Sequence, residues 1–162
     1  MIKKILVPID FSNYSKKALH YTVSFAQQFN SEIDLVYVIE PIIYPADLSM
    51  GQLVIPQTNL DFQEKAEEEL KELAQSEIGD LLNYNIFVRT GKPFMEIIEA
   101  AKEIDADLII IATHGHTGVE HLLFGSTSEK VVRKAPCPVL TLREPIKGFS
   151  FSRKERIGKS DC

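Results

Sequence analysis

Cysteine is scarce: the 162 residues hold only Cys137 and Cys162. Disulfide-held scaffolds pack more cysteines into shorter chains. This widely separated pair therefore points to reduced thiols and a cytoplasmic setting. Long apolar runs are missing as well. None approaches the ~18 residues of a membrane span, and Met1-Ile2-Lys3-Lys4-Ile5 enters a strand-like segment with no signal-peptide pattern. Positive charge is in deficit: the formal net charge of −5 argues against nucleic acid as a partner, since that takes a basic stripe. Two familiar phosphate signatures are absent. A P-loop needs G-x-x-x-x-G-K-[ST], but Gly91-Lys92 is followed by Pro93, and Ile86 stands where the first glycine belongs. No G-x-G-x-x-G follows the first apolar run, where Pro8-Ile9-Asp10-Phe11-Ser12 stands instead.

What is present fits one soluble domain. Hydrophobic residues make up 44% and charged residues 25%, an ordinary balance for a chain long enough to bury a full core. Of the 18 basic and 23 acidic residues, five and three respectively fall within 144–162, so the balance is −7 up to Arg143 and +2 beyond it. Residues 1–143 are expected to form the folded domain and 144–162 a flexible basic tail.

Short apolar runs alternate with segments of helical period. Strands are expected at Lys4–Ile9, Ile33–Ile39, Asn85–Arg89, Leu108–Ala112 and Val139–Leu142. Near-continuous apolarity in the first of these suits a strand covered on both faces. Ser12 offers an N-cap to a helix that turns Ala18, Thr22, Phe25, Ala26 and Phe29 inward. A second helix over about 60–78 presents Phe62, Ala66, Leu70 and Leu73, with Glu67-Glu68-Glu69 on its solvent face. A third, opened by Gly91 and Pro93, turns in Phe94, Ile97, Ile98 and Ala101. The fourth covers about 126–134. The proline-broken, apolar stretch 40–59 is expected to be mobile cover or an interface. Five strands alternating with four helices imply a mostly parallel sheet with helices on both faces. Such sheets bind ligands beyond the strands' carboxyl ends, which directs attention to Asp10 and to Thr113 onward.

Thr113-His114-Gly115-His116-Thr117-Gly118 runs on to Gly125-Ser126-Thr127-Ser128-Glu129. Its glycines let backbone N–H groups approach a ligand. Ser126 and Glu129 have capping-box spacing, so a helix is expected to begin at Ser126. A helix N-terminus suits phosphate, and the hydroxyls of Ser126, Thr127 and Ser128 add donors. An ordinary turn leading to a well-capped helix is the alternative reading. Asp10 likewise has two readings, a ligand acceptor or a cap for the helix after Ser12.

The run Ile5-Leu6-Val7-Pro8-Ile9-Asp10-Phe11-Ser12 and the block from Ala112 through Ala135-Pro136-Cys137-Pro138-Val139 to Arg143 resemble the universal stress protein family. Resemblance covers roughly residues 2–143. It implies a five-stranded parallel sheet in the order 3-2-1-4-5 and a homodimer joined through Val139–Leu142. It further implies a stress-response or regulatory role, with an unnamed protein partner. ATP-binding members carry G-x-x-G-x9-G-[ST]. This chain matches at Gly115, Gly125 and Ser126, and has Ala112 where the first glycine belongs. By the same resemblance Pro8, Ile9 and Asp10 edge the adenine pocket, Val38 packs on the base, and Ile111 and Ala112 border the nucleoside. Gly115, His116, Gly125, Ser126 and Thr127 face the phosphates. The implied ligand is ATP, or ADP or AMP, with Mg2+ held on the phosphates rather than by protein side chains.

His114, His116 and His121 are spaced H-x-H-x4-H, but no cysteine or carboxylate completes a transition-metal set beside them. His116 is a candidate for a phosphate contact that strengthens as pH falls. Cys137, between two prolines, reads as a small buried filler. No arginine finger or water-orienting group is evident, so hydrolysis is expected to be slow or absent. Two further readings stand beside nucleotide binding. One is a dimeric interaction module that does not bind nucleotide, suggested by Ala112. The other is a nucleotidyltransferase, which would place H-x-G-H just after the first strand; here His114-Gly115-His116 follows the fourth.

Overall fold

The computed structural model describes residues 1–41, 59–113 and 125–143. In chain order these form β1 (Lys4–Ile9), α1 (Asn13–Phe29), β2 (Glu32–Ile39), α2 (Asn59–Glu77), β3 (Tyr84–Thr90), α3 (Pro93–Glu103), β4 (Leu108–Ala112), α4 (Ser126–Lys134) and β5 (Val139–Leu142). The strands make one parallel sheet in the order β3-β2-β1-β4-β5. Both the architecture and the order are those expected. The tail 144–162 and most of the 40–59 stretch lie outside the described residues.

β1 is central because its apolar run has no polar face to show. Ile5, Leu6 and Val7 are all fully buried, and alternate residues feed two cores. Ile5, Val7 and Ile9 join Leu19, Val23, Leu35 and Leu70 beneath α1 and α2. Leu6 joins Val36, Ile97, Ile109, Ile111 and Val131 beneath α3 and α4. Each such side chain contributes about 1.5–3 kcal/mol on burial.

Helix faces follow the expected period with two exceptions. Ala18, Thr22 and Ala26 are buried, and Leu19 and Val23 join them, but Phe29 is exposed and stacks near Phe25 with ring centroids 4.7 Å apart. α1 ends one residue later at Asn30, whose left-handed φ of 53° turns the chain toward β2 and leaves Phe29 outside. In α2 the buried stripe is Ala66, Leu70 and Ala74, continued by Ile78 just past the helix, and Phe62 is exposed. The stripe reaches the core only from the helix's second turn.

A polar cluster interrupts the sheet at the opposite end from the strands' carboxyl termini. Asp34 of β2 is 1% exposed, and its Oδ1 accepts from Asn85 Nδ2 at 2.8 Å. The same Asn85 amide donates to Glu32 Oε1 at 2.7 Å, while Lys4 Nζ donates to the Ile104 carbonyl at 3.0 Å. Asp34 Oδ2 is buried with no hydrogen-bond partner. Burial pushes the Asp34 carboxyl above the usual range. The Asn85 bond opposes that shift, Glu32 adds to it, and Lys4 opposes it.

Candidate functional site

The chain runs from β1 outward to β3, then returns to the other side of β1 for β4, so the order in which strands are added reverses between β1 and β4. A crevice is expected there, at the carboxyl ends. A cavity of about 290 Å³ occupies that place. Pro8, Val36, Val38 and Ile111 lie along its sheet side, Pro93 and Ile97 of α3 across from them, and Ile9, Asp10, Tyr37, Glu40 and Ala112 around them. Thr113, Gly125, Ser126, Thr127 and Ser128 close its other end. Pro8, Val36, Val38 and Ile111 share the sheet face under α3, because they alternate with residues that face α1.

Asp10 ends β1 and works locally as well as lining the cavity. Its Oδ1 accepts from the Ser12 amide at 3.0 Å and from Ser12 Oγ at 2.5 Å. Ser12 Oγ in turn accepts from the Ser15 amide at 3.2 Å, capping α1. Ser15 Oγ accepts from the Asp10 amide at 3.3 Å and donates to the Ser12 carbonyl at 3.1 Å. Phe11 between them has φ 60°, a strained value for a non-glycine residue, and its ring lies 4.8 Å from that of Tyr37. Asp10 thus holds Ser12, and Ser12 itself supplies the cap. Burial first, then the charges of Glu69 and Asp10, push the Tyr37 phenol upward.

The far end is organised by Thr113, a residue the motif did not single out. Thr113 is 2% exposed. Its amide and hydroxyl both donate to the Leu142 carbonyl, at 2.9 and 3.3 Å. Its own carbonyl accepts from the Gly125 amide at 2.7 Å and from Ser128 Oγ at 3.3 Å. A Cβ on Gly125 would lie 3.2 Å from that carbonyl and 3.6 Å from Ser128 Oγ, so glycine allows the close approach.

α4 begins at Ser126 as expected, but these contacts move its cap. The N-cap of α4 is Gly125, not Ser126, and no side chain caps it. Glu129 falls one position past the capping-box site and instead pairs with Arg133 at 3.1 Å. Ser128 Oγ also donates to the Gly125 carbonyl at 2.9 Å, so its hydroxyl is engaged with backbone rather than open to a ligand. The Gly125 amide is likewise spent. An α-helix leaves its first N–H groups without intrahelical acceptors. In α4 those left over are the amides of Ser126, Thr127 and Ser128, at the end of the cavity.

The structure thus brings together Pro8, Ile9, Asp10, Val38, Ile111, Ala112, Gly125, Ser126 and Thr127 around one cavity. Gly115 and His116 lie outside the described residues, as do His114, His121 and Cys162. Cys137 is half-buried against the α3–α4 core, and burial, then Asp107, push its thiol up, which disfavours the reactive thiolate. No helix among the described residues is long and apolar enough to cross a membrane.

A model of the Universal stress protein family matches residues 1–143. The chain belongs to the universal stress protein family. Universal stress protein MJ0531 of Methanocaldococcus jannaschii is 35% identical over 150 residues, spanning 91% of this chain and 85% of its own. Among solved structures, MJ0577, itself a universal stress protein of the same organism, superposes with a TM-score of 0.69 at 25% identity, covering 88% of this chain and 96% of its own. A universal stress protein in complex with cAMP (TM-score 0.62, 19% identity, 88% and 97% covered) has the same fold. So does one from Archaeoglobus fulgidus in complex with dAMP (TM-score 0.62, 17% identity, 87% and 97% covered).

Proposed function

We propose that this universal stress protein binds an adenine nucleotide (ATP, ADP or AMP) and acts as a stress-response regulator with no or slow hydrolysis. One observation carries the reading. An apolar slot at the sheet's reversal point ends at a helix N-terminus whose amides have no side-chain cap. That pairing suits a flat base joined to an anion. Family membership adds support, as do the relatives solved with cAMP and with dAMP.

In this reading Pro8, Ile9, Asp10 and Val38 take the base and its sugar, and Ile111 and Ala112 border the nucleoside. The first turn of α4 takes phosphate at Ser126 and Thr127, and Gly125 contributes close approach rather than its amide. Gly115 and His116 keep the phosphate role that the motif implies, and Mg2+ would ride on the phosphates. The protein works in the cytoplasm as the folded unit 1–143 with a basic tail. It pairs with a second copy through Val139–Leu142, an edge strand whose outer hydrogen-bonding groups favour a partner, and it passes nucleotide occupancy to a protein partner.

Calorimetric titration of the full chain with ATP, ADP and AMP tests the reading. Saturable binding below millimolar ligand is expected. Silence for all three at millimolar concentration would leave the non-binding interaction module, which the methyl of Ala112 at the cavity favours.

A further inference from the structure

β3 is one border of the sheet: β2 pairs with its inner side, and among the described residues no strand lies beyond it. The Asn83 carbonyl accepts from the Ile33 amide and the Gly91 amide donates to the Ile39 carbonyl, both at 3.0 Å. In a parallel ladder alternate residues face the same neighbour. The backbone groups directed outward are therefore those of Tyr84, Ile86, Val88 and Thr90.

Beside that border runs a groove lined by Lys71, Glu72 and Gln75 of α2 and by residues 84–87 of β3. Its floor is apolar. Tyr84 and Ile86 are half-buried against the core beneath α2, and the Tyr84 hydroxyl donates to Gln75 Oε1 at 3.4 Å. Its wall is acidic. α2 carries seven carboxylates against two lysines, and Lys71 is tied to Glu67 at 2.7 Å. The one cation of β3, Arg89, is held by Glu96 and Glu103. A bare border strand, an apolar floor and an acidic wall together fit an extended basic segment that adds a strand.

This chain carries such a segment. Phe149-Ser150-Phe151-Ser152-Arg153 alternates with the period of a strand, with Lys147 before it and Lys154 and Arg156 after it. Extended, it would set Phe149, Phe151 and Arg153 on one side: two rings for the floor and a guanidinium for the carboxylates. Length decides whose groove it enters. A strand added beyond β3 lies five spacings from β5, about 24 Å. Phe149 stands seven residues past Leu142, and seven residues reach at most about 25 Å when straight. That leaves nothing for a path around the helices that cover the sheet.

We propose that residues 147–156 of one copy add a strand to β3 of another, seating Phe149 and Phe151 in the groove beside α2. Segment and groove are different surfaces, so the contact is head-to-tail and the assembly grows with concentration. It is independent of nucleotide binding.

Photocrosslinking of the full chain tests the contact, with benzoylphenylalanine in place of Phe151 and light and heavy isotope-labelled copies mixed in equal amounts. Light-to-heavy cross-links should fall on residues 71–75 or 84–87 in peptide mass spectra. Cross-links confined to one copy, found only elsewhere on the fold, or absent altogether overturn the proposal. Analytical ultracentrifugation gives an independent readout. The wild-type mass should rise with protein concentration. A chain carrying Phe149→Ser and Phe151→Ser should need at least about tenfold more protein for the same rise, because two aromatic side chains no longer leave water. A wild type of constant mass, or identical curves for wild type and variant, likewise overturns it.

Discussion

Asp34 is a carboxylate buried in a strand with one oxygen bare, and replacing it with asparagine should make the protein more stable. Asp34→Asn keeps an oxygen to accept from Asn85, now at 2.8 Å, and removes the charge whose Oδ2 has no partner. The gain is the difference between burying an unpaired carboxylate oxygen and burying a neutral amide. Since an unmet buried polar group costs about 1–3 kcal/mol, and more when charged, about 1–2 kcal/mol is expected at neutral pH. Lys4 already offsets part of the charge, which keeps the estimate low. In a domain of this size that is a rise of about 2–6 °C in Tm. The sign with pH follows from the raised carboxyl. The folded protein holds the Asp34 proton more tightly than the unfolded chain, so this contribution is fully present below the ordinary carboxylate pKa. It is lost as pH rises through the higher folded value. Urea unfolding of wild type and variant at pH 5 and pH 7.5 measures both effects. The stability difference should be larger at pH 7.5. A variant less stable than wild type at pH 7.5, or curves that stay parallel between the two pH values, would refute the reasoning.

Other outcomes follow from the packing and the cavity. Ser128→Ala removes a buried hydroxyl shared between the Thr113 and Gly125 carbonyls and should cost about 1 kcal/mol in urea unfolding, with weaker nucleotide binding by calorimetry. Ala112→Val adds bulk at the cavity wall and should abolish AMP binding while circular dichroism stays unchanged. Gly91 has φ 155°, and a Cβ there would lie 2.7 Å from Glu96 Oε1. Because that atom is the movable end of a side chain, Gly91→Ala should cost about 1–3 kcal/mol chiefly through the backbone, read as a lower urea midpoint. Ile109→Ala, at a fully buried position, should cost about 2–5 kcal/mol in the same assay.

The sheet was legible because its strands are apolar on both faces. A run such as Leu6-Val7 has no solvent side, and that alone argues for helices above and below. Strand ends shifted by a residue, as at Glu32 and Thr90, because hydrogen-bond partners rather than composition decide where a ladder stops. Two aromatic positions, Phe29 and Phe62, were misplaced because period alone assigns a face to every turn, whereas a helix end may project past the core it packs on. α4 begins at Ser126 as expected, but its cap was misread by one residue for a longer-range reason. Ser126 and Glu129 have the local spacing of a cap, but Gly125 is fixed by the Thr113 carbonyl, which the pairing of β4 with β5 positions. Asp34 was hidden within an apolar run, and its partner Asn85 lies on another strand. Such pairings leave no mark in a local window. The cavity fared better: Asp10, Thr113 and Ser126 were picked out by their place after strands and before a helix, and Val38 by the family resemblance, while Glu40 and Tyr37 became visible only once the strands were side by side.

Thr113 joins two parts of the molecule through consecutive atoms. Its N–H and hydroxyl hold the last residue of β5, and its carbonyl holds the residue that caps α4. A pull on the outermost strand is therefore transmitted through one residue to the amides at the cavity's end. Anything that grips that border of the sheet shares a lever with whatever sits in the slot.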